Sequence, residues 1–192
     1  MATWQRRLTR IAIGWCIAMP LVALAMYALD PWYARSWDPR ERVLGYGPYL
    51  VPSASMAPTV STGQIVLVNV GYYARHAPAR GDIVIFISPE DGNRWIKRVI
   101  GLPGERVALV EGQLQVDGQH VEEPYVASGN AVSDDAWTMA ETRVPDGHVL
   151  LLGDNRDNSL DGRRFGTTPV DDLTGKVMRI LSGPRARGVD GQ

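Results

Sequence analysis

The stretch Asp82-Ile-Val-Ile-Phe-Ile-Ser88, followed by Arg94-Trp-Ile-Lys-Arg-Val-Ile-Gly101, decides how this chain reads. Both runs are short, rich in β-branched and aromatic residues, and bounded by Gly and Pro, which is the signature of strands. Working outward, Gln64–Val70, Glu105–Val110, Gln113–Val116, Gln119–Val121, His148–Leu152 and Lys176–Leu181 read the same way. Glu111-Gly112 and Asp117-Gly118 sit between three of these runs as hairpin turns. No long stretch with a 3.6-residue period follows residue 30, so residues 48–181 are expected to form a mainly β domain built of antiparallel sheet. Residues 122–146 carry weak periodicity and read as an irregular insertion, and 182–192 as a flexible polar tail.

Ahead of this domain the chain changes character. Residues 11–29, IAIGWCIAMPLVALAMYAL, hold no charge. As a helix they would extend about 28 Å, close to the hydrocarbon thickness of a bilayer. Pro20 is tolerated better there than in a soluble helix. Residues 1–10 carry Arg6, Arg7 and Arg10 with no acid, whereas the remainder of the chain is net acidic. A single N-terminal transmembrane helix over 11–29 is the expectation. A cleaved signal peptide, with Ala23-Leu24-Ala25 as its site, and a buried core helix are the competing readings. Arg35, Arg40 and Arg42 follow the segment and balance the three that precede it. The preceding three lie closer and lack neighbouring acids, which puts the N-terminus in the cytoplasm and the large domain on the far side of the cell membrane. Residues 30–47 read as a juxtamembrane linker whose Trp32, Tyr33 and Trp37 suit the membrane interface or simple packing on the domain.

Composition removes several function classes. Lys plus Arg number 20 and Asp plus Glu 21, so there is no basic excess for nucleic acid. One cysteine, Cys16, allows no internal disulfide and no cysteine-built zinc site. His76, His120 and His148 are scattered, and no metal or cofactor is expected. Of the 20 basic residues only Lys97 and Lys176 are lysines.

Three segments do not look like ordinary strand or turn. The first is Pro52-Ser53-Ala54-Ser55-Met56-Ala57-Pro58-Thr59, where prolines bracket two serines and keep the chain out of a regular ladder. The second is Trp95–Gly104, in which Lys97 sits inside an apolar run. Alternation gives Trp95, Lys97 and Val99 one face and Ile96, Arg98 and Ile100 the other. A lysine buried there would lose its charge toward neutral pH and could act as a base; a lysine on an exposed strand would only discourage edge pairing. The third is Gly153-Asp154-Asn155-Arg156-Asp157-Asn158-Ser159-Leu160-Asp161-Gly162-Arg163, directly after a strand. Its Asp and Asn spacing misses the glycine and terminal glutamate of a calcium loop, and a solvated turn is the plain alternative.

Together, and in this order behind an apolar segment, the three resemble the type I signal peptidases, membrane-anchored serine proteases with a serine–lysine dyad. The similarity covers about residues 48–181. The resemblance implies a signal-peptidase-like antiparallel β domain that cleaves exported preproteins after small residues, Ala-x-Ala. By position it makes Ser55 the nucleophile and Lys97 the general base. Ser53 corresponds to an oxyanion-hole hydroxyl, Ser159 to the serine that orients the lysine ammonium, and Asp161 and Arg163 to a supporting ion pair. Tyr49, Val51, Met56, Trp95 and Ile96 fall where the family lines its substrate pockets. The implied partners are preprotein signal peptides and membrane lipid, with the chain acting as a monomer. Gly162 departs from the serine many members carry, which would loosen the Asp161/Arg163 wall. A peptidase dedicated to one conjugation or pilus protein, and a degenerate membrane-tethered binding domain, remain as alternatives.

Overall fold

The computed structural model describes residues 2–34 and 36–181; the expected tail at 182–192 lies outside them. Helix α1 (Ala2–Leu29) contains an apolar span, Arg7–Leu29, with mean hydropathy 2.0 and none of it buried against the rest of the chain. That is long and apolar enough to cross a bilayer.

The stretch expected as a linker is folded. Asp38 caps a short helix α2 (Pro39–Leu44) by accepting the Arg40 N–H at 2.9 Å, Pro39 takes its first position, and Gly45 at φ 74° ends it. Arg42 lies over the rings of Tyr27 in α1 and Trp37, and the Trp32 indole donates to the Val43 carbonyl at 3.1 Å. These contacts join α1 to the β domain through packed aromatic and cationic groups.

All strand pairs are antiparallel. A seven-stranded sheet runs in the order β1 (Tyr46–Leu50), β2 (Ile65–Val70), β11 (Leu173–Leu181), β3 (Ile83–Ile87), β4 (Arg94–Gly101), β9 (His148–Leu152), β10 (Thr168–Pro169). The second sheet is ordered β7 (Gln119–His120), β6 (Gln113–Val116), β5 (Arg106–Val110), β8 (Met139–Arg143). The two hairpin turns in the second sheet have positive φ at both residues, 50° and 74° at Glu111-Gly112, 51° and 76° at Asp117-Gly118, as their sequences predict.

Strands β1, β8 and β10 were not expected from sequence. β1 contains Pro48, which breaks the strand signature, but it lies at the sheet's edge, where a missing N–H is tolerated. β8 belongs to the segment read as an irregular insertion; it is an edge strand with polar, mostly exposed side chains, so its pattern is weak. The same segment holds a short helix α3 (Asp134–Trp137). Helix α4 (Gly162–Phe165) packs on β9. The long sheet is clad by two apolar clusters, one around Met56, Val66, Val68, Ile85 and Ile96, the other around Val84, Phe86, Val99 and Leu151; a third cluster, Val107, Leu109, Leu114 and Leu150 among its members, fills the space under the small sheet.

Candidate active site

β4 is the element that builds the site. It pairs with β3 along Arg94–Arg98, but with β9 only from Arg98 onward. The backbone edge of Arg94–Lys97 that faces away from β3 is therefore left without a partner strand. The segment leading out of β1, Leu50–Ser55, passes on that open side, and the two enclose a groove of about 330 Å³. The prolines of Pro52–Thr59 keep this segment out of the ladder, as the sequence predicts, and the turn is closed by its own bonds, Ala57 N to Ala54 O and Val60 N to Met56 O.

Lys97 Nζ lies 2.9 Å from Ser55 Oγ. Lys97 is 3% exposed and Ser55 6%. The ammonium sits 5.6 Å from the centre of the Trp95 ring, on the face that alternation assigned to both. Burial pulls the Lys97 pKa down to about 8; Asp161 partly opposes this and Arg163 adds to it. Ser53 Oγ is 3.2 Å from Ser55 Oγ. The Ser55 backbone N–H donates to no acceptor among the described residues, which leaves it available to a bound group.

The third segment forms the opposite wall. Asp161, fully buried, accepts the Gly153 N–H at 2.9 Å and pairs with Arg163 Nε at 2.8 Å. Arg163 Nη2 also donates to the carbonyls of Arg156 and Ser159 at 2.7 and 3.2 Å. Asn155, to which the sequence reading gave no role, pins the Ser55 turn: its N–H donates to the Ser55 carbonyl at 3.1 Å and its Nδ2 to the Ala54 carbonyl at 3.3 Å. Gly153 permits this closeness, because a Cβ there would fall 2.2 Å from Ser159 Oγ and 2.5 Å from the Ser55 carbonyl oxygen. The Ser159 hydroxyl is buried and has no hydrogen-bond partner among the described residues. It lies against Gly153 and makes no hydrogen bond to Lys97. Gly162 does not loosen the wall: the Asp161/Arg163 pair is intact, and a Cβ at 162 would meet Leu150 Cδ1 at 2.7 Å and the Leu151 carbonyl oxygen at 2.9 Å. Glycine lets α4 lie directly on β9.

Of the expected pocket residues, Tyr49, Val51, Trp95 and Ile96 border the groove, together with Leu50, Ile85, Arg94 and Leu160. Met56 does not. Its side chain is fully buried in the core cluster that also holds Val60, Val66 and Val68.

Two buried ion pairs were not foreseen. Arg98 makes a bidentate pair with Asp154 at 2.8 and 2.6 Å, its guanidinium 3.9 Å from the centre of the Tyr125 ring. Arg156 pairs with Glu123 at 2.5 Å, and Tyr125 donates to the same carboxylate. These residues tie the segment around 123–125 to β4 and to the third segment. The only advance signal was Arg98 on the inward run of β4, with no hint of its partner.

Residues 41–181 match the family described as "Signal peptidase, peptidase S26". Signal peptidase I of Bacillus caldolyticus is 37% identical over 147 residues, 71% of this chain and 79% of that protein. Signal peptidase I U of Bacillus subtilis is 35% identical over 145 residues, covering 73% and 78%. Among solved structures, a signal peptidase I from Enterococcus faecalis is 35% identical, with a TM-score of 0.47 over 54% of this chain and 98% of that one. The protein is a peptidase. It belongs to the signal peptidase family, peptidase S26.

Proposed function

We propose that this protein removes N-terminal signal peptides from exported preproteins, cleaving after Ala-x-Ala with Ser55 as nucleophile and Lys97 as general base. The observation that carries this reading is the 2.9 Å bond from a buried lysine to a serine at the end of an apolar groove. A serine hydroxyl needs a neighbouring base, and a lysine with a pKa near 8 is about one-tenth neutral at pH 7. Neutral Lys97 takes the Ser55 proton as Oγ attacks the scissile carbonyl carbon. The carbonyl oxygen becomes an oxyanion, held by the Ser55 N–H and, after it turns from Ser55 Oγ, by the Ser53 hydroxyl. Lys97, now an ammonium, gives its proton to the leaving amine as the C–N bond breaks. Its neutral form then activates the water that attacks the acyl-enzyme and frees Ser55. In this scheme the partnerless Ser159 hydroxyl takes the orienting role that the resemblance implies, accepting from the charged ammonium.

Substrate residues before the bond add as a strand to the open edge of Arg94–Lys97. Val51, Ile85 and Ile96, all buried, line the groove that would take the small side chains of Ala-x-Ala. With α1 spanning the bilayer once, N-terminus in the cytoplasm, the groove faces the extracytoplasmic surface.

The test is cleavage of an Ala-x-Ala preprotein by the detergent-solubilised full chain, comparing wild type with Ser55→Ala and Lys97→Ala. Cleavage by wild type alone is expected; equal cleavage by either variant would remove the dyad.

A further inference from the structure

At the end of the groove farthest from Ser55 lies a cation that the chemistry above does not use. Arg94 opens β4 and borders the groove. Its Nη1 donates to the Tyr49 hydroxyl and lies 3.2 Å from Glu41 Oε1. Tyr49 in turn donates to Glu41, and Ser36 donates to the other oxygen of that carboxylate at 2.5 Å. The Glu41 side chain is only 6% exposed, whereas that of Arg94 is 26% exposed. Nε and Nη2 of Arg94 have no acceptor among the described residues. One edge of the guanidinium is therefore anchored by a buried carboxylate, and the other is presented with unused donors beside the groove. Asp38, whose carboxylate also feels the Arg94 charge, is paired with Arg40 at 2.6 Å.

Register gives the substrate position. Arg94 is three residues from Lys97 along an extended strand, about 10 Å. A substrate strand covers that length in three residues. If the residue supplying the scissile carbonyl lies at Lys97, as the proposed function requires, the fourth residue before the bond lies at Arg94. We propose that Arg94 is a specificity-determining residue that takes a carboxylate side chain at that fourth position, immediately upstream of the Ala-x-Ala triplet. A guanidinium edge with two adjacent N–H groups matches a carboxylate and repels a lysine at the same place. Glu41 supplies geometry and at the same time offsets the charge, so it limits the preference.

The test uses three preproteins identical except for Asp, Ala or Lys at the fourth position, with the full chain in detergent at low salt. The readout is the Asp:Lys ratio of kcat/KM within each variant, which is insensitive to a general loss of activity. Wild type is expected to favour Asp by about tenfold, less at high salt. In Arg94→Gln the ratio should fall toward unity. In Glu41→Gln, which keeps the shape and removes the offsetting charge, it should rise. A merely structural role for either residue would move both ratios together or not at all. If wild type cleaves the Ala substrate but treats Asp and Lys alike, or if Glu41→Gln lowers the ratio, the inference is overturned. If the Ala substrate is not cleaved at all, the proposed function has failed and this inference with it. Should Arg94→Gln fail to fold, the direction of change in Glu41→Gln still decides.

Discussion

The two sheets handle polar residues in opposite ways. In the small sheet Val107, Leu109, Leu114 and Val116 are buried while Arg106, Gln113 and their neighbours turn outward, so alternation separates core from solvent. In the large sheet β4 is buried continuously from Ile96 to Gly101, and that run includes Lys97 and Arg98. A strand covered on both faces has no solvent side on which to place a charge. Arg98 resolves this by pairing bidentately with Asp154, while Lys97 has a serine for its partner and its charged form is disfavoured instead. A buried charge with a full partner marks structure, and a buried charge without one marks chemistry.

Breaking the dyad should give the largest effect. Ser55→Ala and Lys97→Met should each lower kcat/KM by about a thousandfold or more, with the fold retained by circular dichroism. Next comes pH. Because only neutral Lys97 accepts the proton, single-turnover cleavage should rise about tenfold per unit below pH 8 and level off above it, close to a hundredfold between pH 6 and 9. The same depressed pKa has a stability consequence of defined sign. The folded state binds fewer protons than the unfolded state between about pH 8 and the unfolded value of 10.5, so stability rises with pH across that window. Below it the buried lysine costs about 3 kcal/mol. Lys97→Met should therefore be more stable than wild type at pH 7, and the pH slope should flatten in denaturant titrations; a less stable variant would contradict the burial argument.

Breaking the structural pair should act on folding instead. Asp154→Asn leaves Arg98 buried without its counter-charge and should cost about 3 kcal/mol in urea unfolding, lowering cleavage by way of the displaced Asn155. Replacing Gln115 on the outer face of the small sheet by Ala should change stability by under about 0.5 kcal/mol and leave cleavage unchanged. A large effect there would blur the contrast between the two sheets.

The readable parts of the sequence were those with local signatures. β4 and β6 fall where the pattern placed them, and the two hairpin turns follow from Glu111-Gly112 and Asp117-Gly118. The segments around Ser55 and Lys97 stood out because each breaks the ordinary pattern of its element, but the roles expected of the two residues came from the family resemblance. Arg98 and Asp154 are 56 residues apart, and nothing local in either joins them. Glu41 and Arg94 are 53 residues apart, and Glu41 lies in a stretch that reads as a linker by its Pro and aromatic content. Met56 shows the opposite error: position in a motif suggested a pocket wall, whereas the turn of the chain put it in the core.

By itself the sequence determined an apolar helix and the strand-rich domain. These are properties of single segments, set by backbone preference and hydrophobic spacing. Only the tertiary structure decided that Lys97 reaches Ser55 at 2.9 Å, that both are largely buried, and that Arg94 stands at the groove's far end on a carboxylate brought by α2. The physical reason is that desolvation and charge pairing depend on what surrounds a group in space, and here those surroundings are assembled from segments far apart in the chain.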